Sequence, residues 1–169
     1  ELNFPLLVHE RRLVPDTEGA GRHRGAPGCR MRLGTNGADV RMMYASDGTQ
    51  NAAQGVRGGA AGASAGQRIG RSDGRLEELP GVGDFVLSPG DVVVCDTCGG
   101  GGYGLPLERD PARVQRDVAA GLVSRGRAQQ VYGVLLDQNG AVDEPGTSEL
   151  RQTCAQANRS PDMAGSTAP

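Results

Sequence analysis

Four consecutive glycines, Gly99–Gly102, followed by Tyr103 and Gly104, constrain the fold of this 169-residue chain more than any other stretch. Glycine loses more backbone freedom on folding than any other residue, so an ordered run of four needs a physical return. That return is close approach, because a backbone without Cβ atoms reaches surfaces that side chains would hold off. Two roles fit. The run contacts a ligand or neighbouring chain, its successive amide N–H groups cradling an anion, or it forms a tight structural crossover. It lies after an apolar run, Val92–Cys95, and before a helix signal, as phosphate loops do. No Lys-Ser/Thr pair follows, so it is not a Walker A loop.

Glycine is abundant throughout, at 28 residues, whereas aromatic residues are confined to Phe4, Phe85, Tyr44, Tyr103 and Tyr132. The core must come mainly from Val, Leu and Ala. Short apolar runs separated by turn residues fill the first half. Phe4–Val8 is continued by Leu13 and Val14, and a turn cluster follows at Pro15–Gly21. Cys29–Leu33 and Val40–Tyr44 flank Asn36-Gly37, a hairpin signal. Residues 47–75 show no periodicity, and Gly58–Ala63 has linker composition. Phe85–Leu87 and Val92–Cys95 flank a Ser88–Asp91 turn. Helix signals then begin. Asp110 is a good N-cap with Pro111 behind it, and Gly121 is a good stop. Ser124 starts a second helix that Gly133 ends. Val134–Leu136 reads as a strand, Asp137–Gly140 as a tight turn, and Thr147 as the cap of a short last helix. These signals predict an α+β domain over residues 1–158, mostly antiparallel β with long Gly-rich loops and two or three short C-terminal helices. Residues 159–169 read as a disordered tail.

Every one of the 18 basic residues is Arg, and they are scattered among 20 acidic ones for a net charge of −2. That pattern lacks the basic stripe of a nucleic-acid binder, and no apolar stretch reaches membrane-spanning length. Neither nucleic acid nor membrane is expected as a partner. The first residues, Glu-Leu-Asn-Phe-Pro, have neither Met nor a signal-peptide layout, and are expected to lie inside a longer protein. Cys95 and Cys98 form a lone CxxC without a second pair or a nearby His, so no zinc site is assigned. Few cysteines and no secretory signal fit a cytoplasmic protein.

The candidate contact residues, for a ligand or an interface, are Arg22, His23 and Arg24, with Gly99, Gly100, Gly101, Gly102, Tyr103 and Gly104. The basic triplet suits a carboxylate or phosphate, or alternatively an internal pair with Asp16 or Glu18. No Gly-x-Ser-x-Gly elbow is present, and no residue is assigned a catalytic or metal-binding role.

The order of these pieces resembles the hydantoinase B / 5-oxoprolinase family. The resemblance lies in Glu1-Leu2-x-Phe4-Pro5 and in Pro15-Asp16-x-x-Gly19-Ala20-Gly21-Arg22-x-Arg24-Gly25. It continues in Gln54-Gly55-x-x-Gly58-Gly59-x-x-Gly62, and above all in Pro89-Gly90-Asp91 through Thr97-x-Gly99-Gly100-Gly101-Gly102-Tyr103-Gly104-x-Pro106 to Asp110-Pro111. It extends over residues 1–155, the C-terminal region of a B-type subunit, and reaches the large subunit of acetone-type carboxylases. Two positions depart from the family pattern: Leu105 stands where Asp is usual, and Cys98 where Pro is usual. The resemblance implies a fragment of an ATP-dependent cyclic-amide hydrolase such as N-methylhydantoinase or 5-oxoprolinase. Its partners would be a hydantoinase A-type subunit that binds ATP and the rest of the B-type subunit. A divalent metal is implied in the N-terminal part of that subunit, to which nothing here corresponds. No cofactor is expected on this segment itself. The rival expectation is a docking module or truncated remnant without activity of its own.

Overall fold

The computed structural model describes residues 4–157; the tail expected at 159–169 lies outside the described residues. Seven strands and three helices make the α+β architecture expected from the sequence. The strands are β1 (Leu6–Leu13), β2 (Cys29–Thr35), β3 (Val40–Ala45), β4 (Gly66–Gly70), β5 (Leu76–Leu79), β6 (Val82–Leu87) and β7 (Val92–Asp96). Five form one sheet in the order β1-β2-β7-β4-β5, and β3 and β6 form a separate ribbon. All pairings among these strands are antiparallel.

The core of the sheet is small. Ile69, Leu87 and Val93 are fully buried, with Leu33, Met42, Leu79 and Phe85 packed around them. Leu87, Met42 and Phe85 come from the ribbon, so burial of apolar side chains holds the two layers together. Tyr44 meets Phe85 edge to face at 5.7 Å, a favoured aromatic geometry. Asp96, at the end of β7, receives Arg30 from β2 in a two-pronged pair of 2.6 and 2.8 Å. Arg68 of β4 approaches the same carboxylate at 3.4 Å, so one acid ties three adjacent strands. The hydrogen bond from Arg30 holds the Asp96 carboxyl below the usual carboxylate range.

Asn36-Gly37 does not close a hairpin between β2 and β3. The chain turns there but leaves the sheet: β2 takes β1 and β7 as neighbours, and β3 pairs with β6. Both edges of β2 are occupied, which leaves β3 to seek its partner in the other layer. β4 lies where no strand was expected. Its alternation buries Gln67 and Ile69; Gln67 donates to Ser46 Oγ at 2.6 Å, while its Oε1 is buried without a partner.

The helices are α1 (Pro111–Ala119), α2 (Arg125–Gln130) and α3 (Glu144–Ala157), preceded by a single 3-10 turn at Pro106–Glu108. Asp110 caps α1 by accepting from the Ala112 amide at 2.8 Å. Gly121, with φ of 68°, follows the C-cap. Ser124 caps α2 by accepting from Arg127 N at 3.1 Å. The C-terminal end differs from expectation. Val134–Leu136 forms only one isolated bridge, between Leu136 and Val142. α3 starts earlier than Thr147, with the Asp143 carboxylate accepting from the Gly146 amide. Pro145 is tolerated in that first turn, where its missing N–H has no helical partner to lose. Thr147 is buried inside the helix, and its hydroxyl accepts from Leu135 N at 3.0 Å. The helical core consists of Val114, Val123, Ala128, Tyr132 and Val134, together with Ala20 from the first glycine-rich segment.

Candidate functional site

The glycine run is the axis of a bundle of extended backbone. Five passes of chain lie side by side: residues 17–20, 23–26, 53–56 and 60–63 around a central pass at 98–104. The central pass donates outward on several sides. Gly99 N bonds Ala63 O at 2.9 Å, Gly100 N bonds Ala26 O at 2.8 Å, and Gly102 N bonds Ala60 O at 2.9 Å. Tyr103 N bonds His23 O and Gly104 N bonds Val56 O, each at 2.9 Å. The outer passes bond one another as well, Ala60 N to Ala20 O at 2.7 Å and Ala63 N to Thr17 O at 2.9 Å.

The direction each residue faces explains why four glycines are consecutive. A Cβ on Gly99 or Gly102 would strike the pass at 17–20 and one on Gly101 the pass at 53–54, while one on Gly100 would press on the pass at 25–26 at 3.0 Å. Residues three apart face the same neighbour, the three-per-turn repeat of a polyproline-II-like chain. Covered by backbone in every direction, such a helix has no side on which a side chain fits. These four glycines do not have the left-handed φ that usually calls for glycine; lack of space accounts for them. Gly19, Gly25, Gly59 and Gly62 on the outer passes face the central one just as closely.

Two buried polar clusters clamp the bundle to the helices. Asp117 of α1 accepts from Arg24 at 2.9 Å through one oxygen and from Arg109 at 2.8 and 3.2 Å through the other. Arg109 also donates to the carbonyl of Arg22 at 3.1 Å. Burial alone would push the Asp117 carboxyl up, but the bonds from both arginines outweigh it and hold it below the usual range. In the second cluster, Glu18 is 1% exposed and receives Arg127 at 2.7 Å and the Tyr132 hydroxyl at 2.9 Å. Burial first, then the neighbouring carboxylate, pushes the Tyr132 phenol well above its ordinary value.

The candidate residues therefore take different places. Arg24 is an internal brace, though its partner is Asp117, 93 positions away, rather than Asp16 or Glu18. The amides of Gly99, Gly100, Gly102, Tyr103 and Gly104 are committed to carbonyls of the same chain. Arg22, His23 and Tyr103 are exposed and gather where the bundle meets the surface. His23 and Tyr103 form a two-way backbone bridge, with their rings 6.2 Å apart. Three residues not singled out from the sequence join them. Val56 bridges to Tyr103, Arg57 holds its guanidinium 5.6 Å from the Tyr103 ring, and Arg113 shares a cleft with Arg22 and His23. Leu105, one of the two departures from the family pattern, lies on the same face with 52% exposure. The sequence carried no signal for Arg57 or Arg113, because only the folded bundle brings 22, 57, 103 and 113 together.

Among the described residues, no group of three or more His, Cys, Asp or Glu side chains is placed to hold a metal ion. The residues present therefore do not fit the divalent metal that the family resemblance implies. Cys29, Cys95, Cys98 and Cys154 are all free thiols. No described helix is long and apolar enough to cross a membrane. The site offers rigid backbone, exposed aromatic and aliphatic side chains, and guanidinium groups.

Comparison with known proteins agrees with this geometry. The family described as Hydantoinase B/oxoprolinase matches residues 1–106. The beta subunit of caprolactamase from Pseudomonas jessenii is 35% identical over 160 residues, covering 89% of this chain and 27% of that protein. The crystal structure of the ATP-dependent caprolactamase from the same organism superposes with a TM-score of 0.72 at 30% identity, covering 89% of this chain and 27% of that one. The B component of a putative D-/L-hydantoinase from Pseudomonas sp. strain NS671 is 30% identical, covering 90% of this chain and 26% of that one. Nucleotide-free acetone carboxylase shares the fold, with a TM-score of 0.76 at 21% identity over 94% of this chain and 26% of that one. The chain spans about a quarter of the length of the relatives it matches. By the family match and the shared fold, the chain belongs to the hydantoinase B/oxoprolinase family.

Proposed function

We propose that this chain is the C-terminal region of the B-type subunit of an ATP-dependent cyclic-amide hydrolase of the N-methylhydantoinase or 5-oxoprolinase kind, acting in the cytoplasm. Its partners are a hydantoinase A-type subunit, which binds ATP, and the remainder of the B-type subunit. The observation that carries this reading is the match to the caprolactamase beta chain along 89% of the present one. In the reaction proposed, the A-type subunit transfers a phosphoryl group from ATP to the amide oxygen of the ring. The ring carbon becomes a better electrophile, water adds to it, and the C–N bond breaks with a proton going to the departing nitrogen. This leaves an acyl phosphate that a second water hydrolyses to carboxylate and free phosphate. No residue of this segment is assigned a catalytic or metal-binding role in those steps. The segment holds a rigid surface in place, and rigid placement of neighbouring groups is itself worth a large part of a barrier.

A second reading is a docking module or truncated remnant without activity of its own. One reconstitution separates the two. The chain, the rest of a B-type subunit and an A-type subunit are combined, singly and together, with caprolactam, hydantoin or 5-oxoproline and ATP, and ring-opened product is measured. Product is expected only from the full set and only with ATP. Full activity without this chain would make it a dispensable remnant. Ring opening by the chain alone, or by the full set without ATP, would defeat the hydrolase reading.

A further inference from the structure

We infer that the face formed by Arg22, Val56, Arg57, Tyr103, Leu105 and Arg113 docks an acidic polypeptide segment that also carries apolar side chains. Six arginines form internal ion pairs with well-shielded carboxylates or with Glu77: Arg24 and Arg109 with Asp117, Arg30 and Arg68 with Asp96, Arg71 with Glu77 and Asp91, and Arg127 with Glu18. Among the described residues, the guanidiniums of Arg22, Arg57 and Arg113 have neither an ion pair nor a hydrogen bond; Arg57 lies 5.6 Å from the Tyr103 ring, Arg22 neighbours Gly104, and Arg113 shares a cleft with Arg22. Against the carboxylates of Glu108 and Asp110 in that cleft, the three guanidiniums leave one net positive charge, which an anionic partner would neutralise.

The backbone at Arg57 points the same way. Arg57 has φ of +52° and Gly58 +86°, in a turn closed by Gly59 N to Val56 O at 3.1 Å. Glycine or asparagine fills such a position without strain, whereas an arginine there is held at a conformational cost. A turn needed only to reverse the chain would be better served by glycine. What arginine adds is an exposed guanidinium 5.6 Å from the centre of the Tyr103 ring.

The apolar residues of the patch identify the class of partner. Val56, Tyr103 and Leu105 are 56%, 42% and 52% exposed. Tyr and Arg beside aliphatic groups are the residues that dominate protein interfaces. A free phosphate would leave those apolar groups in water and would find the loop amides already bonded to carbonyls. Glu108 and Asp110, beside Arg22 in the cleft, set the register by repelling carboxylates on that side. The inference deepens the proposed function by naming the chemistry of the partner surface, and it rests on that reading only in placing the chain inside a larger assembly.

The test titrates the 15N-labelled full chain with the peptide acetyl-Glu-Leu-Asp-Phe-Glu-Leu-amide, its Gln/Asn counterpart, and inorganic phosphate. The acidic peptide should shift the amides of Val56, Arg57, Tyr103 and Leu105, and bind at least about fivefold more tightly than the neutral one. Arg57→Gly relieves the turn, so it should melt no lower than the parent while losing about fivefold or more in peptide affinity. Arg22→Gln gives a second reading should the turn variant misfold. The inference is overturned by amides that do not move, by equal binding of the neutral peptide, by undiminished binding to the variants, or by phosphate acting on the same amides as well as the acidic peptide. A failed titration would leave the ring-opening assay intact, and the converse also holds.

Discussion

Gly102→Ala is expected to abolish cooperative folding. A methyl group there would overlap the Ala20 carbonyl oxygen, with the Gly19 carbonyl 2.7 Å away on the same side. Both atoms are themselves bonded, Ala20 O accepting from Ala60 N and Gly19 O from Gly25 N, and Gly102 N donates to Ala60 O. No flexible side chain can swing aside, so relief requires separating two passes of the bundle and breaking the bonds between them. A loss of at least about 4 kcal/mol is expected, the scale of the most damaging single substitutions. That approaches the total stability of many small domains. Gly66→Ala is the control: nothing lies within 4 Å of the added methyl, and its φ is not left-handed. It should stay within about 1 kcal/mol of the parent. Thermal and urea melts followed by circular dichroism would measure both. A Gly102→Ala protein as stable as Gly66→Ala would mean that the passes are not in backbone contact.

The second large effect is expected at Asp117. Its carboxylate lies between Arg24 and Arg109, whose side chains are 18% and 9% exposed. Asp117→Ala leaves two mostly buried guanidiniums facing each other without a counter-charge, and loss of one partner from a buried pair costs about 3–5 kcal/mol. The same residue gives a pH dependence. Its folded pKa lies below the unfolded value, so its contribution is complete above the ordinary Asp pKa of about 3.9. That contribution is lost as pH falls through the lower folded value. Parent stability should therefore decline as the solution is acidified below the ordinary Asp range. The Asp117→Ala protein should decline less steeply and retain the part due to Asp96, which is held low by Arg30. Urea midpoints measured from neutral pH downward would show the difference in slope.

What could be read in advance follows the range of the interactions involved. Asp110, Gly121 and Ser124 marked helix ends correctly because capping is decided within a few residues, whereas α2 stops at Gln130, ahead of Gly133. Pairing of β2 with β7 rather than β3 depends on which edges are already filled, and no local pattern records that. β4 was missed because Ile69 is its only large apolar residue, and Gln67 takes a core position through a single bond to Ser46. At the site, the glycine run signalled close approach. Its neighbours, 17–26 and 53–63, were visible only as linker-like or turn-rich composition, since backbone packing against backbone leaves no side-chain periodicity. The roles of Arg24 and Arg57 were hidden for the same reason: one is defined by Asp117 and the other by Tyr103, both remote in the chain.

Amide hydrogen exchange at the glycine run tests the central claim most directly, namely that these residues are the structural axis of the chain and not an open loop. Amides that open only when the whole domain unfolds exchange slowest. Gly99, Gly100, Gly102 and Gly104, each bonded to a carbonyl of another pass, should be protected as strongly as the amides of Ile69 and Val93 in the sheet. Exchange at those four glycines as fast as in an unstructured peptide, while the sheet stays protected, would contradict it.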